Sequence, residues 1–286
     1  MIAGEPGNRG GRMKTQRMLW IGAVLFGLAV PSANADQAAF AAKAKSLEGL
    51  VGYWAFEGNY EDSSGKGNHG VAKGATSKIS FGQGVKGGQA LQFTGNTNEA
   101  AAYVTVPAPV GSVFDAPKMT ALVWANVQST PAADAWDNLF DRTSLWYIET
   151  QWKEQDDGSI LLDLVNRIYD PENPNNGGTG QVRTLQADTP FALKGNNWHL
   201  VGFTYDGAVM ISYVDGREVQ RFEYDAGVGP TAATPPASER KGNYDLNWGL
   251  WDQVEDAMNG LLDDTVYYNR ALSADEVKAL FDAMMQ

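Results

Sequence analysis

Cysteine is absent from this 286-residue sequence, histidine occurs twice, and basic residues are scarce. Without cysteine the chain has no disulfide, no thiolate nucleophile and no cysteine metal ligand. The two histidines, His69 and His199, form no Ser-His-Asp or His-x-x-x-His arrangement in the sequence. Because 22 basic residues face 34 acidic ones, the formal charge is −12. This balance argues against nucleic acid and anionic membranes as partners.

A long apolar run is missing as well. The apolar stretch 18–30 is shorter than the roughly 20 residues that a membrane span needs. It follows four basic residues and ends before Ala33-Asn34-Ala35, which is the order of a secretory signal peptide. We predict a signal peptide over 1–35 with cleavage after Ala35, a secreted or periplasmic location, and no membrane span after cleavage. An uncleaved anchor is the alternative.

Residues 36–48 are rich in Ala and Lys and predict a short helix or a mobile lead-in with little function of its own. From 49 onwards, short β-branched and aromatic runs alternate with turn residues, as in all-β proteins. The strand candidates are 49–57, 89–93, 102–106, 119–127, 145–151, 159–166, 198–205, 209–214, 218–222, 246–250 and 260–268. Three Asp-Gly pairs between such runs predict hairpins, at 157–158, 206–207 and 215–216.

Helical periodicity begins only at Ser273, where Glu276 three residues later predicts a capping box. The sequence therefore predicts an all-β fold, a two-sheet antiparallel sandwich with a short C-terminal helix. No composition shift marks a second domain, so 49–286 is predicted to be one domain.

Two motifs with possible chemistry have simpler explanations. The G-x-G-x-x-G spacing at 82–87 leads into a strand instead of a helix, which favours a turn over a nucleotide site. Retaining glycoside hydrolysis needs two carboxyls about 5–5.5 Å apart, a distance that acids two residues apart on a strand can reach. Glu154 and Asp156 have this spacing but adjoin a hairpin turn, and Glu149 has no acid at 147 or 151.

Several motifs in order resemble the laminin-G-like (concanavalin A-like) jelly-roll domains of bacterial exported proteins. They are 50–59, 62–70, 87–93, 103–106, 198–207, 213–216 and 260–273. The resemblance implies a two-sheet jelly roll, a fold that carries lectins, adhesins, sialidase accessory modules and hydrolases alike. The Glu-x-Asp-x-Glu strand of laminarinase-like hydrolases and the motifs of jelly-roll alginate lyases are absent.

These observations favour a non-catalytic module that binds a polysaccharide or glycoconjugate. One alternative is a structural or adhesive cell-surface module without sugar binding. The other is a glycan-active hydrolase or lyase with carboxylates that the sequence does not reveal.

A structural calcium ion is implied by the same resemblance, between the 57–69 loop and the closing strand. Its expected ligands are Glu57, Asn59, Asp62, Asn68 and Asp264, since Ca²⁺ takes carboxylate, amide and carbonyl oxygens. The alternative is that Asp62 closes an Asx-turn and Asp264 is simply hydrogen-bonded.

The expected ligand site combines aromatic and acidic side chains. A groove could be formed by strand 145–152, loop 169–180 and segment 248–256, which occupies the place of the acidic ligand-binding loop of the related pentraxins. The expected ligand-binding residues are Trp146, Trp152, Trp251, Asp252 and Glu255. Alternation places Trp146 and Trp152 on one strand face and Glu149 on the other, and the sequence leaves open which face lines the groove.

Overall fold

A computed structural model describes Met1 and residues 35–109, 111–129, 135–142, 145–168, 182–184, 193–223, 244–251 and 255–286. The interior of the predicted signal peptide and the loop 169–180 lie outside these ranges. Residues 31–286 form one compact unit, and the architecture below is that of this unit.

The described ranges contain fifteen strands and two α-helices. The strands are β1 (Leu50–Trp54), β2 (Val71–Gly74), β3 (Ile79–Gln83), β4 (Gln89–Phe93), β5 (Ala102–Val106), β6 (Met119–Val127), β7 (Trp136–Arg142), β8 (Trp146–Glu154), β9 (Ile160–Ile168), β10 (Val182–Thr184), β11 (His199–Tyr205), β12 (Val209–Val214), β13 (Arg217–Glu223), β14 (Leu246–Trp248) and β15 (Gly260–Tyr268). The helices are α1 (Ala35–Ser46) and α2 (Ala274–Met284).

All strand pairs are antiparallel, and they build two sheets. The eight-stranded sheet has the order β13-β12-β11-β6-β15-β4-β3, with β1 also paired to β15. The seven-stranded sheet has the order β10-β9-β8-β7-β14-β5-β2. The predicted antiparallel sandwich is therefore confirmed. Each of the three Asp-Gly pairs joins neighbouring strands of a sheet, as expected, at β8–β9, β11–β12 and β12–β13.

The main core lies between the sheets, where apolar side chains from alternate strand positions meet. Trp54, Phe140 and Trp248 form its aromatic centre, with ring centroids of Phe140 and Trp248 4.8 Å apart and stacked. Arg142 is also fully buried, and its guanidinium donates to three backbone carbonyls and pairs with Asp115.

A second core lies on the other face of the eight-stranded sheet, under the two helices. Phe40 of α1 packs beside Tyr53, and Phe281 of α2 stacks on Trp124 with centroids 5.7 Å apart. Residues 36–48 therefore adopt the helical alternative, and the predicted capping box at Ser273 is present. Neither helix that the structure describes has the length and apolarity that a membrane crossing requires.

Candidate functional site

The first candidate site is the outer face of the seven-stranded sheet, opposite the core. Side chains alternate along β8, so Trp146, Ile148 and Trp152 point into the core. Tyr147 and Glu149 therefore lie on the other face of β8, away from the core.

Neighbouring strands place further polar residues around these two. Asp141 and Arg167 lie opposite Tyr147 on β7 and β9. Asn138 lies opposite Glu149, and Asn247 of β14 lies opposite Asp141. We call this set the polar face: Asn138, Asp141, Tyr147, Glu149, Arg167 and Asn247.

Hydrogen bonds and ring contacts order the polar face. The Asn247 Nδ2 donates to Asp141 Oδ2 at 3.2 Å, and Asn138 Nδ2 donates to Glu149 Oε1 at 3.4 Å. The Arg167 guanidinium lies 5.0 Å from the ring centroid of Tyr147. Asn138, Asp141 and Glu149 are each at most 2% exposed, so their polar groups are held in a desolvated setting.

Residues 248–251 and 255–256, the described parts of segment 248–256, lie at the edge of the polar face. Trp251 and Glu255 exchange backbone hydrogen bonds of 2.8 and 3.1 Å, and the Asn138 N–H donates to the Asp256 carbonyl at 2.9 Å. The Trp251 ring lies edge-on to Tyr147, 6.4 Å between centroids. Strand β8 and segment 248–256 thus meet as expected. Asp252 lies outside the described residues, and Glu255 is exposed.

Acidic groups at this site repel one another. The pKa of Glu149 is well above its ordinary range, first because of burial and then because of the charges of Asp256 and Asp141, which Arg167 opposes. Burial, followed by the charges of Glu255 and Asp137, raises the pKa of Asp256 to about 6. Burial also raises the pKa of Asp137 to about 6, against hydrogen bonds to its carboxylate.

Two of the tryptophans expected to bind ligand lie in the core instead. Trp146 is 1% exposed and stacks on Tyr267, with centroids 5.9 Å apart. Trp152 is 5% exposed, and its indole N–H donates to Ser129 Oγ at 2.8 Å. Neither ring can stack on a sugar in this arrangement, because both lie on the inward face of β8. Trp251 is partly exposed and remains the aromatic candidate.

The second candidate site lies where β15 changes partner. Residues 260–262 pair with β4, whereas 265–268 pair with β1. Between these segments the register with β6 shifts, and Asp264 adopts a left-handed backbone with φ of 39°. The pairing of β15 with β4 and β1 is therefore interrupted at Asp263 and Asp264, which leaves an opening in the sheet there.

Glu57 follows β1 and lies at this opening, so that three carboxylates form what we call the carboxylate cluster (Glu57, Asp263 and Asp264). The Tyr53 hydroxyl donates to Asp264 Oδ1, and the Val85 N–H donates to Asp263 Oδ2 at 3.1 Å. Both aspartates are fully buried. Desolvation is therefore the main influence on their charge.

Glu57 is tied to α1 and β4 through one of its oxygens. Its Oε1 accepts from Gln37 Nε2 at 2.7 Å and from the Gln89 N–H at 3.0 Å. Gly88 closes over this oxygen with φ of 67°, and a Cβ there would lie 2.4 Å from it. Only glycine therefore suits this position.

The pKa of Asp264 is raised to about 7, mainly by burial and also by Glu57, against the hydrogen bond from Tyr53. Burial, then the charges of Asp264 and Glu57, holds the pKa of Asp263 well above its ordinary range. Glu57 Oε2 and Asp264 Oδ2 are buried without a hydrogen-bond partner in the described structure. Such acceptors fit a hard divalent cation.

Within the described ranges, no three acidic or histidine side chains form a group that could hold a metal ion. The carboxylate cluster interacts through charge but would need backbone or amide oxygens to complete a shell. Carboxylate oxygens are the donors that calcium prefers, and Glu57 Oε2 and Asp264 Oδ2 are of this kind, whereas both oxygens of Asp263 accept backbone N–H groups.

The other expected calcium ligands have local roles. Asp62 accepts backbone N–H bonds from Tyr53 at 3.1 Å and Ser64 at 2.8 Å through Oδ1, which is the Asx-turn alternative. The Asn59 Oδ1 accepts from the Glu61 N–H, and Asn68 Nδ2 donates to the Val51 carbonyl. Asp62 contacts the backbone N–H of Tyr53, whereas Asp264 contacts the hydroxyl at the far end of the same side chain, so the two aspartates lie at different places.

A comparison with protein-family models assigns the chain to a superfamily. Residues 96–278, more than half of the chain, match the Laminin_G_3 family model, described as the concanavalin A-like lectin/glucanases superfamily. The chain belongs to this superfamily. Comparison with curated proteins gives no match.

Solved structures with a similar fold include those of three proteins. Domain 4 of AbnA, a GH43 extracellular arabinanase from Geobacillus stearothermophilus solved with arabinotriose, is 17% identical with a TM-score of 0.50, over 81% of this chain and 97% of that one. The binding domain of Paraclostridial Mosquitocidal Protein 1 is 16% identical with a TM-score of 0.59, over 83% of this chain and 52% of that one.

The third is botulinum neurotoxin type C, whose cell entry depends on interaction with two ganglioside molecules. It is 12% identical with a TM-score of 0.57, over 82% of this chain and 51% of that one. The chain thus spans about half the length of the two toxin structures that it matches. At these identities the likeness shows the shared fold.

Proposed function

We propose that this protein is an exported, non-catalytic module that binds a carbohydrate or glycoconjugate at the edge of its polar face, beside the partly exposed Trp251. The observation that carries the proposal is the meeting of Trp251 with Tyr147 beside a row of ordered hydrogen-bonding groups. Sugars are bound by such sites, because an aromatic ring packs on the apolar sugar face while polar groups take hydroxyls. Arabinotriose and gangliosides, named for two of the similar structures, support this ligand class.

Export is the second part of the proposal. It is supported by the basic, apolar and small-residue order over 1–35 and by the extracellular arabinanase among the similar structures. Sequencing the N-terminus of the mature protein tests it, with Asp36 as the expected first residue.

The third part is a structural calcium ion at the carboxylate cluster. It is supported by the two buried oxygens without a partner, Glu57 Oε2 and Asp264 Oδ2, and by the mutual repulsion of the three carboxylates. When bound, the ion supplies positive charge that links β1, β4 and β15 at the point where β15 changes partner.

A glycan array with and without calcium tests the binding function. It should include arabino-oligosaccharides and gangliosides, and the wild type should be compared with Trp251→Ala. We expect the substitution to weaken binding about tenfold, since a stacked aromatic contributes about 1–2 kcal/mol. Trp198→Ala is the matched control, because Trp198 is also partly exposed but packs with the helix-covered core.

Two results would contradict the binding proposal. Binding that is unchanged in Trp251→Ala and in polar-face variants would favour a structural or adhesive module. A large fall in melting temperature in Trp251→Ala would show that Trp251 belongs to the core.

A glycan-active enzyme is the second candidate, favoured by one observation. Glu149 and Asp141 lie on adjacent strands and interact through charge, and the pKa of Glu149 is raised. A carboxylic acid with a raised pKa beside a second carboxyl group is the arrangement of glycoside hydrolases. Release of reducing ends that is lost in Glu149→Gln, but retained in the exposed-site variant Glu154→Gln, would establish this function.

A further inference from the structure

A pocket of about 290 Å³ lies beside the start of β1 and the residue that follows β15, and we call it the β1 pocket. The residues that line it are Leu50, Val51, Lys66, Asn68, Val113 and Asn269. None of these described residues belongs to the polar face or to the carboxylate cluster. Typical ligand sites have roughly 300–1,000 Å³, so the β1 pocket suits a small molecule.

The polar part of the β1 pocket carries a positive charge. Lys66 is exposed, and its ammonium forms no ion pair within the described ranges. Asn68 Nδ2 donates to the Val51 carbonyl at 2.8 Å, and in the same ranges its Oδ1 accepts no hydrogen bond. Asn269 adds an exposed amide. An anionic group therefore suits this part of the pocket, because charge-assisted hydrogen bonds are the strong ones.

The rest of the lining is aliphatic. Val113 is 61% exposed, Leu50 is partly exposed, and Val51 is buried beside it. An alkyl group that covers Val113 and Leu50 removes apolar area from water, which favours binding. The described lining contains no aromatic ring on which a sugar would pack. The apolar part of the ligand is therefore aliphatic.

The loop that carries Val113 is anchored to the core. The carbonyl of the next residue, Phe114, accepts from the buried Arg142 guanidinium at 2.7 Å and from the Tyr267 hydroxyl at 3.0 Å. Val113 is thus exposed on an ordered backbone, directly beside a residue that is 1% exposed.

The loop that carries Lys66 and Asn68 is ordered as well. The Asn68 N–H donates to Asp62 Oδ2 at 3.0 Å, and the Asn68 carbonyl accepts from the Trp54 indole at 2.8 Å. The Lys66 N–H donates to Ser64 Oγ at 3.2 Å. Because both loops are ordered before a ligand arrives, binding costs little conformational entropy.

We propose that the β1 pocket binds a short-chain aliphatic carboxylate. Its carboxylate pairs with the Lys66 ammonium, and its alkyl chain packs on Val113 and Leu50. The same ammonium repels cations, which disfavours the calcium ion expected at Asn68 from the sequence. The site is independent of the proposed carbohydrate binding, so the failure of either proposal leaves the other standing.

The test is an NMR titration of the nitrogen-15-labelled protein at pH 7 with hexanoate, acetate and hexanol. Acetate keeps the charge without the chain, and hexanol keeps the chain without the charge. We expect hexanoate to bind about tenfold more tightly than either, because it makes both kinds of contact. The backbone amide signals that should shift are those of Lys66, Asn68, Val113 and Asn269.

Two variants with matched controls test the assigned contacts. Lys66→Gln should weaken hexanoate binding about tenfold, whereas Lys153→Gln, at an exposed lysine of β8 outside the pocket, should leave it unchanged. Val113→Trp fills the pocket and should abolish binding, whereas Val71→Trp, at another exposed valine, should not. All four positions are exposed, so we expect these variants to fold.

Three results would overturn the assignment. Equal binding of hexanoate and hexanol would show that Lys66 contributes no charge interaction. Hexanoate that shifts no signal, or only signals of residues away from the pocket, would show that the pocket does not bind this class. Unchanged binding in Val113→Trp would show that the chain packs elsewhere.

Discussion

Without a bound cation, the stability of this protein should depend strongly on pH, through Asp264. The pKa of Asp264 rises from 3.8 to about 7 on folding. Since one pKa unit corresponds to about 1.4 kcal/mol, keeping Asp264 ionised costs the fold about 4 kcal/mol. The folded state binds the proton more tightly than the unfolded state. Its stability is therefore highest below about pH 4 and is lost as pH rises to about 7.

The assay is thermal unfolding at pH 5 and pH 8, in EDTA and in excess calcium. A change of 1 kcal/mol shifts the melting temperature by about 2–4 °C in a protein of this size, so the full effect is about 8–16 °C. In EDTA we expect most of this fall between pH 5 and 8. Calcium should raise the melting temperature at pH 8 and flatten the pH dependence, because the cation favours the ionised carboxylate.

Two variants sharpen the calcium test. Asp264→Asn has no charge to bury, so it should lose both the calcium response and the pH dependence from this site. Asp62→Asn should be less stable at both pH values but should keep its calcium response, since Asp62 is engaged in its own turn. A melting temperature that is unaffected by EDTA would refute the calcium site. Equal melting temperatures at pH 5 and 8 in EDTA would refute the charge argument.

Two further predictions concern stability. Arg142→Lys should lower the free energy of unfolding, measured in urea, by about 3–5 kcal/mol. Lysine cannot reproduce the guanidinium contacts of Arg142 and leaves a buried charge poorly paired. The exposed control Arg221→Lys should change this free energy by less than about 0.5 kcal/mol. Phe40→Ala should cost about 3–5 kcal/mol, because the ring is fully buried between α1 and the eight-stranded sheet. A negligible loss would mean that α1 is not part of the fold.

The sheets were largely predictable because alternating apolar residues and Asp-Gly turns act locally. Strand β7 was missed for a physical reason. It contributes Phe140 to the core and Asp141 to the polar face, and Asn138 next to a register shift disrupts the alternation. A strand with a polar outer face and an irregular register resembles a loop in sequence.

The sites depend on pairings that the sequence does not contain. Glu149 was set aside because no acid lies two residues away on its own strand, yet Asp141 and Asp256 approach it from other elements. The roles of Trp146 and Trp152 depended on which face of β8 points inward, and that is fixed by packing against the opposite sheet. Asp263 was overlooked because the shift in register at β15 brings both aspartates to the same opening.

The position of β15 governs the order in which this protein can fold. The strand lies between β6 on one side and β4 and β1 on the other, and the hydrogen bond between Tyr53 and Asp264 spans 211 residues of sequence. Until residues 260–268 arrive, three strands present unpaired edges, which are sites for aggregation. Contacts of such separation slow folding, because a long loop must close before they form. The eight-stranded sheet is therefore completed late, and a translocated chain would cross a membrane before its native sheet could form.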